Sequence, residues 1–435
     1  MANKEHLTIL SQGIEAWNEW REKNPASRSL LSEADLSGAN LIGADLREAD
    51  LTKANLSGAN LREANLGGAN LREANLSEAY LGQAHFIMAS LTKANLTKAN
   101  LSGANLREAN LGGANLSNAK LPGAHLREAD LRNADLSKAD LSGANLAGAF
   151  LSKARLDGAN LSLADLIAVS LEGASLMEAN LVGADLQWAG FLRERTFYTI
   201  VDPALPDPGP PNPTHLGYSI ASCRGADFSK ASLSKARLSG ADLRQTKIIR
   251  ADLSATDLAE ADLTEADLTE ADLRGANLRR ANLSQANLKG ANLKGACLGE
   301  ANLECSDLHV ANLEGADLRN AKLKGVVLQK AASLIRVDLS GQNLSGQNFG
   351  KHNLSKASFN ETNLREANLS GADLSEANLE GADLHGANLS DANLSRANLN
   401  RTELIRTDFS RADLTESSIY GIAAWDVKLT SALLH

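Results

Sequence analysis

The chain has 435 residues, 22% of them charged and 4% aromatic, with a formal net charge of −9. That modest acidic excess argues against a general electrostatic affinity for nucleic acid, which needs a basic stripe. No apolar run approaches membrane-spanning length, and three cysteines, at 223, 297 and 305, make no disulfide framework.

Length alone predicts two or three globular domains. Reduced thiols and a start, MANKEHLTIL, without signal-peptide design point to the cytoplasm. Residues 1–30 stand apart from the rest of the chain. Leu7, Leu10, Ile14 and Trp17 recur at helical spacing, which predicts one amphipathic helix over 5–23, ending before Pro25. Its simplest role is to cap an open sheet edge, with partner binding as the alternative.

From Leu31 to Phe191 a bulky apolar residue returns every five residues, Phe at 86 and 191 and Leu elsewhere. Two residues before each lies a small one, Ala at 31 of the 32 positions from 34 to 189 and Val at 169. On an α-helix a period of five smears the leucines round the whole circumference. On one strand it throws successive leucines to opposite faces. A three-residue extended piece with Ala and Leu inward and Asp or Asn outward, then a two-residue corner, satisfies the pattern. The result is an all-β solenoid with an Ala and Leu core.

The A-(D/N)-L-x-x unit resembles that of the pentapeptide repeat proteins. The resemblance implies a right-handed quadrilateral β-helix with four pentads per coil, to which the helix expected over 5–23 would add an N-terminal α-helical cap. The repeat runs over 31–191, 223–328 and 334–419, with 33, 22 and 18 pentads, 73 in all. These predict about 18 coils, and stacking at ~4.8 Å gives a rod of roughly 85 to 90 Å. GIEAWNEWREKNP further resembles the leader ahead of the repeats in some bacterial members.

Near the end of the first run, outward positions turn apolar at Leu163, Ile167, Ala168, Met177, Val182 and Trp188, a candidate covered patch. Residues 192–222 lose the repeat and gather six prolines, predicting an insertion loop. Arg193, Arg195, Phe197, Tyr198, Pro206, Pro210, Pro211 and His215 are its candidate contact residues, against the alternative of a tolerated surface insertion. The pentads return two residues out of phase. A belt of carboxylates comes next, at Asp252, Asp257, Glu260, Asp262, Glu265, Asp267, Glu270 and Asp272, with Arg274, Arg279 and Arg280 after it.

Between Leu328 and Leu334, segment 329–333 carries one extra residue and breaks the phase. Beyond it the small inward position holds Gln342, Gln347 and His352 in successive pentads. Buried amides and imidazoles need partners, so this coil is expected to carry polar bonds, a water or a local widening. It reads as a junction between two stacks or as a polar niche. Residues 420–435 close the chain in phase, Trp425 being placed to seal the last coil or to meet a second molecule, and a homodimer through this end is one arrangement. IYGIAAWDVKL resembles a segment that in some bacterial family members precedes another domain.

No H-E-x-x-H, G-x-S-x-G, paired C-x-x-C or phosphate-binding loop occurs, and the eight histidines are scattered. The reading is therefore not an enzyme, with no cofactor and no metal. The leading function is a rigid scaffold that binds protein partners through its faces and its loop. Two alternatives stand beside it. The resemblance reaches quinolone-resistance proteins that imitate DNA and bind DNA gyrase, though one acidic belt and a mixed-charge surface depart from that pattern. The C-terminal resemblance implies a targeting or sensory module of a separate effector domain.

Overall fold

The structure, a computed structural model, describes residues 2–25, 27–187 and 223–433. The chain divides into two compact units. The first holds Met1–Ser232 and Ala236–Thr246, the second Leu233–Lys235 and Lys247–His435.

The first unit opens with two helices, α1 (Lys4–Ser11) and α2 (Ile14–Lys23), where one was expected. Gly13 is the reason. Its φ of +114° is outside the helical region and is open to glycine alone, so it ends one helix and starts the next. The break also rotates the buried stripe: His6, Leu10, Trp17 and Arg21 are covered, whereas Leu7 and Ile14 stay partly exposed. These side chains take up polar groups of the first coil. Trp17 Nε1 donates to the Asp45 carbonyl (2.9 Å) and Arg21 to that of Arg47 (2.8 Å). Asn18 accepts from the Asp45 N–H (2.9 Å) and donates to the Gly43 carbonyl (3.1 Å). Groups that an open coil leaves unpaired are thereby satisfied.

In the pentads of this unit Ala and Leu are buried and the Asp or Asn between them faces out. Each outward residue forms a single parallel bridge with the one 20 positions on, as Asp35 with Asn55 and Asn55 with Asn75, so four pentads complete one coil. Ala54–Gly58 shows why the motif is written as it is. Ala54 N–H closes the turn on the Leu51 carbonyl, and Asn55 N–H donates back to Ala34. Leu56 and Gly58 donate forward to Asn75 and Ser77. The remaining N–H, of Ser57, is accepted by Asn55 Oδ1 at 3.2 Å. All five donors of the pentad are satisfied, and the last of them requires a short acceptor side chain at the Asp/Asn position. The second corner residue is left-handed, with φ from +52° to +62° when it is not glycine, as a type II turn demands. Across residues 188–222 the register holds, since Ser175 bridges Asp227 and Asp185 bridges Arg237.

The second unit repeats this construction with two variations. Thr246 of the first unit, and Thr256, Thr362, Thr402 and Thr407 of the second, replace the inward Ala yet are buried. Their hydroxyls are satisfied on main-chain carbonyls, Thr256 on Leu233 (2.7 Å) and Thr407 on Leu384 (2.9 Å). The other variation is at the extra residue, where a 3-10 turn, η1 (Leu328–Lys330), absorbs it. There the bridge spacing becomes 21, Asn312 with Ser333 and Asp317 with Asp338, before returning to 20.

Candidate functional site

The departure of greatest chemical interest lies at that same coil of the second unit. Gln342, Gln347 and His352 stack below Ala321, Val326 and Ala332, positions where the regular lattice sets one small residue on another about 4.8 Å away. A glutamine or histidine does not fit that spacing, and the coil parts on these three faces. Among the described residues no bridge joins Lys322 to Asn343, Val327 to Asn348 or Ser333 to Asn353. On the fourth face, where Val337 stacks on Ala357, the ladder is intact: Asp338 bridges Ser358 and Leu339 donates to the Ser358 carbonyl (2.8 Å).

The expectation of three inward polar residues is met by Gln342 and corrected for the other two. Gln342 is 8% exposed, and its Nε2 donates to the carbonyls of Leu318 (2.7 Å) and Ala321 (3.0 Å). It thereby takes the Ala321 carbonyl that an Asn343 N–H would occupy in a closed ladder. Gln347 is exposed and His352 half-buried, its Nδ1 3.0 Å from the Gly350 carbonyl and its ring edge-on to Phe349. Both stay accessible because the coil opens instead of compressing them, Gln347 on the wall of the opening. The opening is a cleft of about 510 Å³ between Leu323–Leu328 above and Gln342–Leu344 with Gln347 below. One coil above it, the Ser306 hydroxyl is buried without a hydrogen-bond partner among the described residues.

The remaining predicted residues fall in three groups. Arg193, Arg195, Phe197, Tyr198, Pro206, Pro210, Pro211 and His215, together with Trp188, lie outside the described residues. The other apolar positions spread over three neighbouring corners. Leu163 (73% exposed) and Val182 share a corner, the Leu163 N–H donating to the Val182 carbonyl (3.0 Å), while Ile167 and Met177 fall on the corners to either side.

Around the acidic belt, Asp252, Asp257, Asp262, Asp267 and Asp272 each accept the N–H two residues on, as the turn requires. Glu270 meets Arg250 (2.7 Å), Asp272 meets Arg274 (2.6 Å) and Glu260 meets Arg280 (3.8 Å). The Arg250 hydrogen bond and charge hold the Glu270 carboxyl below its ordinary pKa. Burial pushes Asp272 up, but the Arg274 guanidinium and N–H outweigh it and the net shift is downward. Near the other end, Tyr420 and Trp425 are 79% and 76% exposed.

The family profile described as "Pentapeptide repeats (8 copies)" matches overlapping stretches that together run over 29–191, 221–325 and 332–422. The chain belongs to the pentapeptide repeat family. Solved pentapeptide repeat structures similar to it include one from the Arabidopsis thaliana thylakoid lumen, 32% identical over 21% of this chain, with a TM-score of 0.21. The match spans 65% of that protein's length. Another is HetL, involved in heterocyst differentiation regulation in the cyanobacterium Nostoc sp. strain PCC 7120, 26% identical over 72% of this chain and 89% of its own, TM-score 0.15. Full-length QnrB1, a plasmid-mediated fluoroquinolone resistance protein, is 18% identical over 45% of this chain and 85% of its own, TM-score 0.17. The chain has no match among curated protein sequences.

As a pentapeptide repeat protein the chain commits its carboxylates and amides to turns and ladders. Among the described residues no group of His, Cys, Asp and Glu is arranged to hold a metal, and no helix is long and apolar enough to cross a membrane. The pairing of Arg250 with Glu270, which sequence reasoning missed, had a signal in the repeat itself, as had the offset of the belt by Arg280. Reading at steps of 20 places Arg250 beside Glu270 and Arg280 between Glu260 and Glu300.

Proposed function

We propose that this pentapeptide repeat chain is a non-catalytic scaffold that binds protein partners, with the parted coil at 322–353 as its specific contact. The observation that carries this reading is the break in the ladder on three faces. Every regular pentad commits its main-chain donors and its Asp or Asn to the fold, so a specific contact has to come from a departure. The parted coil exposes main-chain edges and a cleft together.

The test is photo-crosslinking in cells that make the protein. A benzoylphenylalanine at Asn343 or Asn348 should give a discrete protein adduct that the same group at Asn393, in a regular coil, does not. Equal labelling at all three positions, or none, would remove the reading. Imitation of DNA has less support, because the carboxylates of the belt serve turns and meet arginines from the coils on both sides.

A further inference from the structure

We propose that the parted coil binds an extended peptide segment, which enters as an added parallel strand between the Val326–Leu328 edge and the Asn348 edge. This rests on the scaffold reading and names the chemistry of its partner.

A closed face makes two bonds across the stack. One face earlier, Leu318 N–H donates down to the Asp338 carbonyl and Asp338 N–H donates up to Ala316, both at 2.8 Å. The same two bonds recur on closed faces of both units. On the face of Val327 and Asn348 their equivalents would run from Leu328 N–H to the Asn348 carbonyl and from Asn348 N–H to the Val326 carbonyl. Among the described residues neither is formed. Each lip therefore leaves a donor and an acceptor unpaired across the stack among the described residues, Leu328 N–H with the Val326 carbonyl above and Asn348 N–H with its own carbonyl below.

The lower lip is held along its length and the upper lip at its two ends. Below, the Phe349 N–H donates to Asn368 (2.7 Å), the Asn368 N–H to the Gln347 carbonyl (2.9 Å), and the Asn368 side chain to Asn348 Oδ1 (2.9 Å). Above, the Val326–Leu328 edge is tied to the next coil on either side of itself, where Cys305 donates to the Lys324 carbonyl (2.9 Å) and Val310 to that of Lys330 (2.7 Å), and among the described residues no bridge joins Val327 to Asp307. Ordering the lower edge therefore adds little to the cost of binding. Gln342 tethers the first face through its two side-chain bonds upward, although no bridge forms there among the described residues, and the cleft runs from it toward the second face.

Side chains narrow the occupant further. Val327 stands where a regular pentad has Asp or Asn and is 48% exposed, and Val326 and Leu323 beside it are partly exposed. A strand lying against this edge does best with a β-branched residue next to Val327. A cleft of about 510 Å³ takes a few residues of extended chain and not a folded surface.

The choice of probe comes from how the solenoid pairs: each coil lies in register on a near-copy of itself. A fluorescein-labelled peptide acetyl-KGVVLQK-amide, the sequence of 324–330, is titrated into the intact protein by fluorescence anisotropy. The control peptide carries N-methyl groups on its two valines and so cannot donate there. The key protein variant is Gln342→Ala/Gln347→Ala/His352→Ala, which restores small inward residues, lets the coil close and leaves every edge group present.

The expected result is saturable binding by the wild type, at least tenfold weaker binding of the N-methyl peptide, and at least tenfold weaker binding by the triple variant, whose melting temperature is unchanged or raised. Bound peptide should also slow hydrogen exchange at Leu328 and Asn348 in the wild type. No binding at millimolar peptide would overturn the proposal, as would equal binding of the N-methyl peptide or equal binding by a folded triple variant. If the triple variant does not fold, the N-methyl comparison and the exchange at Leu328 and Asn348 decide alone. Peptide failure with the Asn343 and Asn348 crosslinks retained would remove strand insertion and leave the scaffold reading in place. Loss of the crosslinks would remove that reading itself.

Discussion

A left-handed corner residue stands in every regular pentad, and most of these residues are not glycine. In L-residues that conformation costs roughly 1 to 2 kcal/mol each, against about 0.5 to 1 for the lost chain entropy of glycine. Charged corners recover part of the cost by pairing along the stack, as Lys356 does with Glu376 (3.3 Å). Ala255, at φ +54°, has no charge with which to do so. Ala255→Gly should therefore stabilise the second unit by roughly 0.5 kcal/mol, read as a higher denaturant midpoint. A fall would mean that chain entropy outweighs strain at these corners. The thiols give a second residue-scale prediction. Cys223 sits in an inward position, where burial and then Asp242 push its pKa up to about 12, while Cys297 and Cys305 are exposed. Since the thiolate is the reactive form, iodoacetamide at pH 8 should alkylate two cysteines quickly and Cys223 only on unfolding. Three equal rates would contradict the placement of Cys223.

At the scale of the element, the helical cap is held by its polar contacts as much as by its apolar ones. His6 is buried, its Nδ1 accepts the Leu30 N–H (3.0 Å), and its ring lies 4.7 Å from that of Trp20. Burial lowers its pKa below the ordinary 6.5, with Glu5 opposing and Arg21 adding to the shift. Docked, the ring holds fewer protons than undocked, so docking is strongest above pH 6.5 and weakens as the pH falls from there through the lowered value. In a Trp188→Phe/Trp425→Phe background, tryptophan emission should shift to the red below pH 6.5, and His6→Gln should abolish the shift. An unchanged pH profile in His6→Gln would assign the effect elsewhere. The cap also marks a limit of legibility. A helix was readable from the spacing of Leu7, Leu10, Ile14 and Trp17, but the turn at Gly13 and the stripe of His6, Leu10, Trp17 and Arg21 depend on what the helices pack against. The solenoid itself was legible because a period of five fits no other regular structure. In the parted coil the positions of Gln342, Gln347 and His352 were equally legible. Their directions were not, since an oversized side chain is accommodated by turning inward or by opening the coil, and the choice depends on whether carbonyls such as those of Leu318 and Ala321 lie within reach.

Over the whole chain, the formal charge of −9 says less than how the charges are laid out. Stacking at a step of 20 residues sets opposite signs on successive coils of one corner, as in Arg396 with Glu416 (2.7 Å) and Arg411 with Asp391 (2.6 Å). A duplex presents unbroken rows of anions, one charge per ~1.7 Å of axis, and a protein that competes with it needs acidic surface over many successive coils. Here the carboxylates of the outward columns are given to turns, and a number of the corner carboxylates meet lysine or arginine from the next coil. In a DNA supercoiling assay with purified gyrase, the intact protein should therefore neither inhibit supercoiling nor protect the enzyme from a quinolone at tenfold molar excess. Charge-reversing the partners, Arg250→Glu together with Arg280→Glu, should strengthen any residual effect, because it joins the belt at Asp252–Asp272 into a longer acidic surface. Clear protection by the wild type would overturn this expectation and give DNA imitation priority over the scaffold. Its contacts would then have to be sought outside the arginine-matched coils.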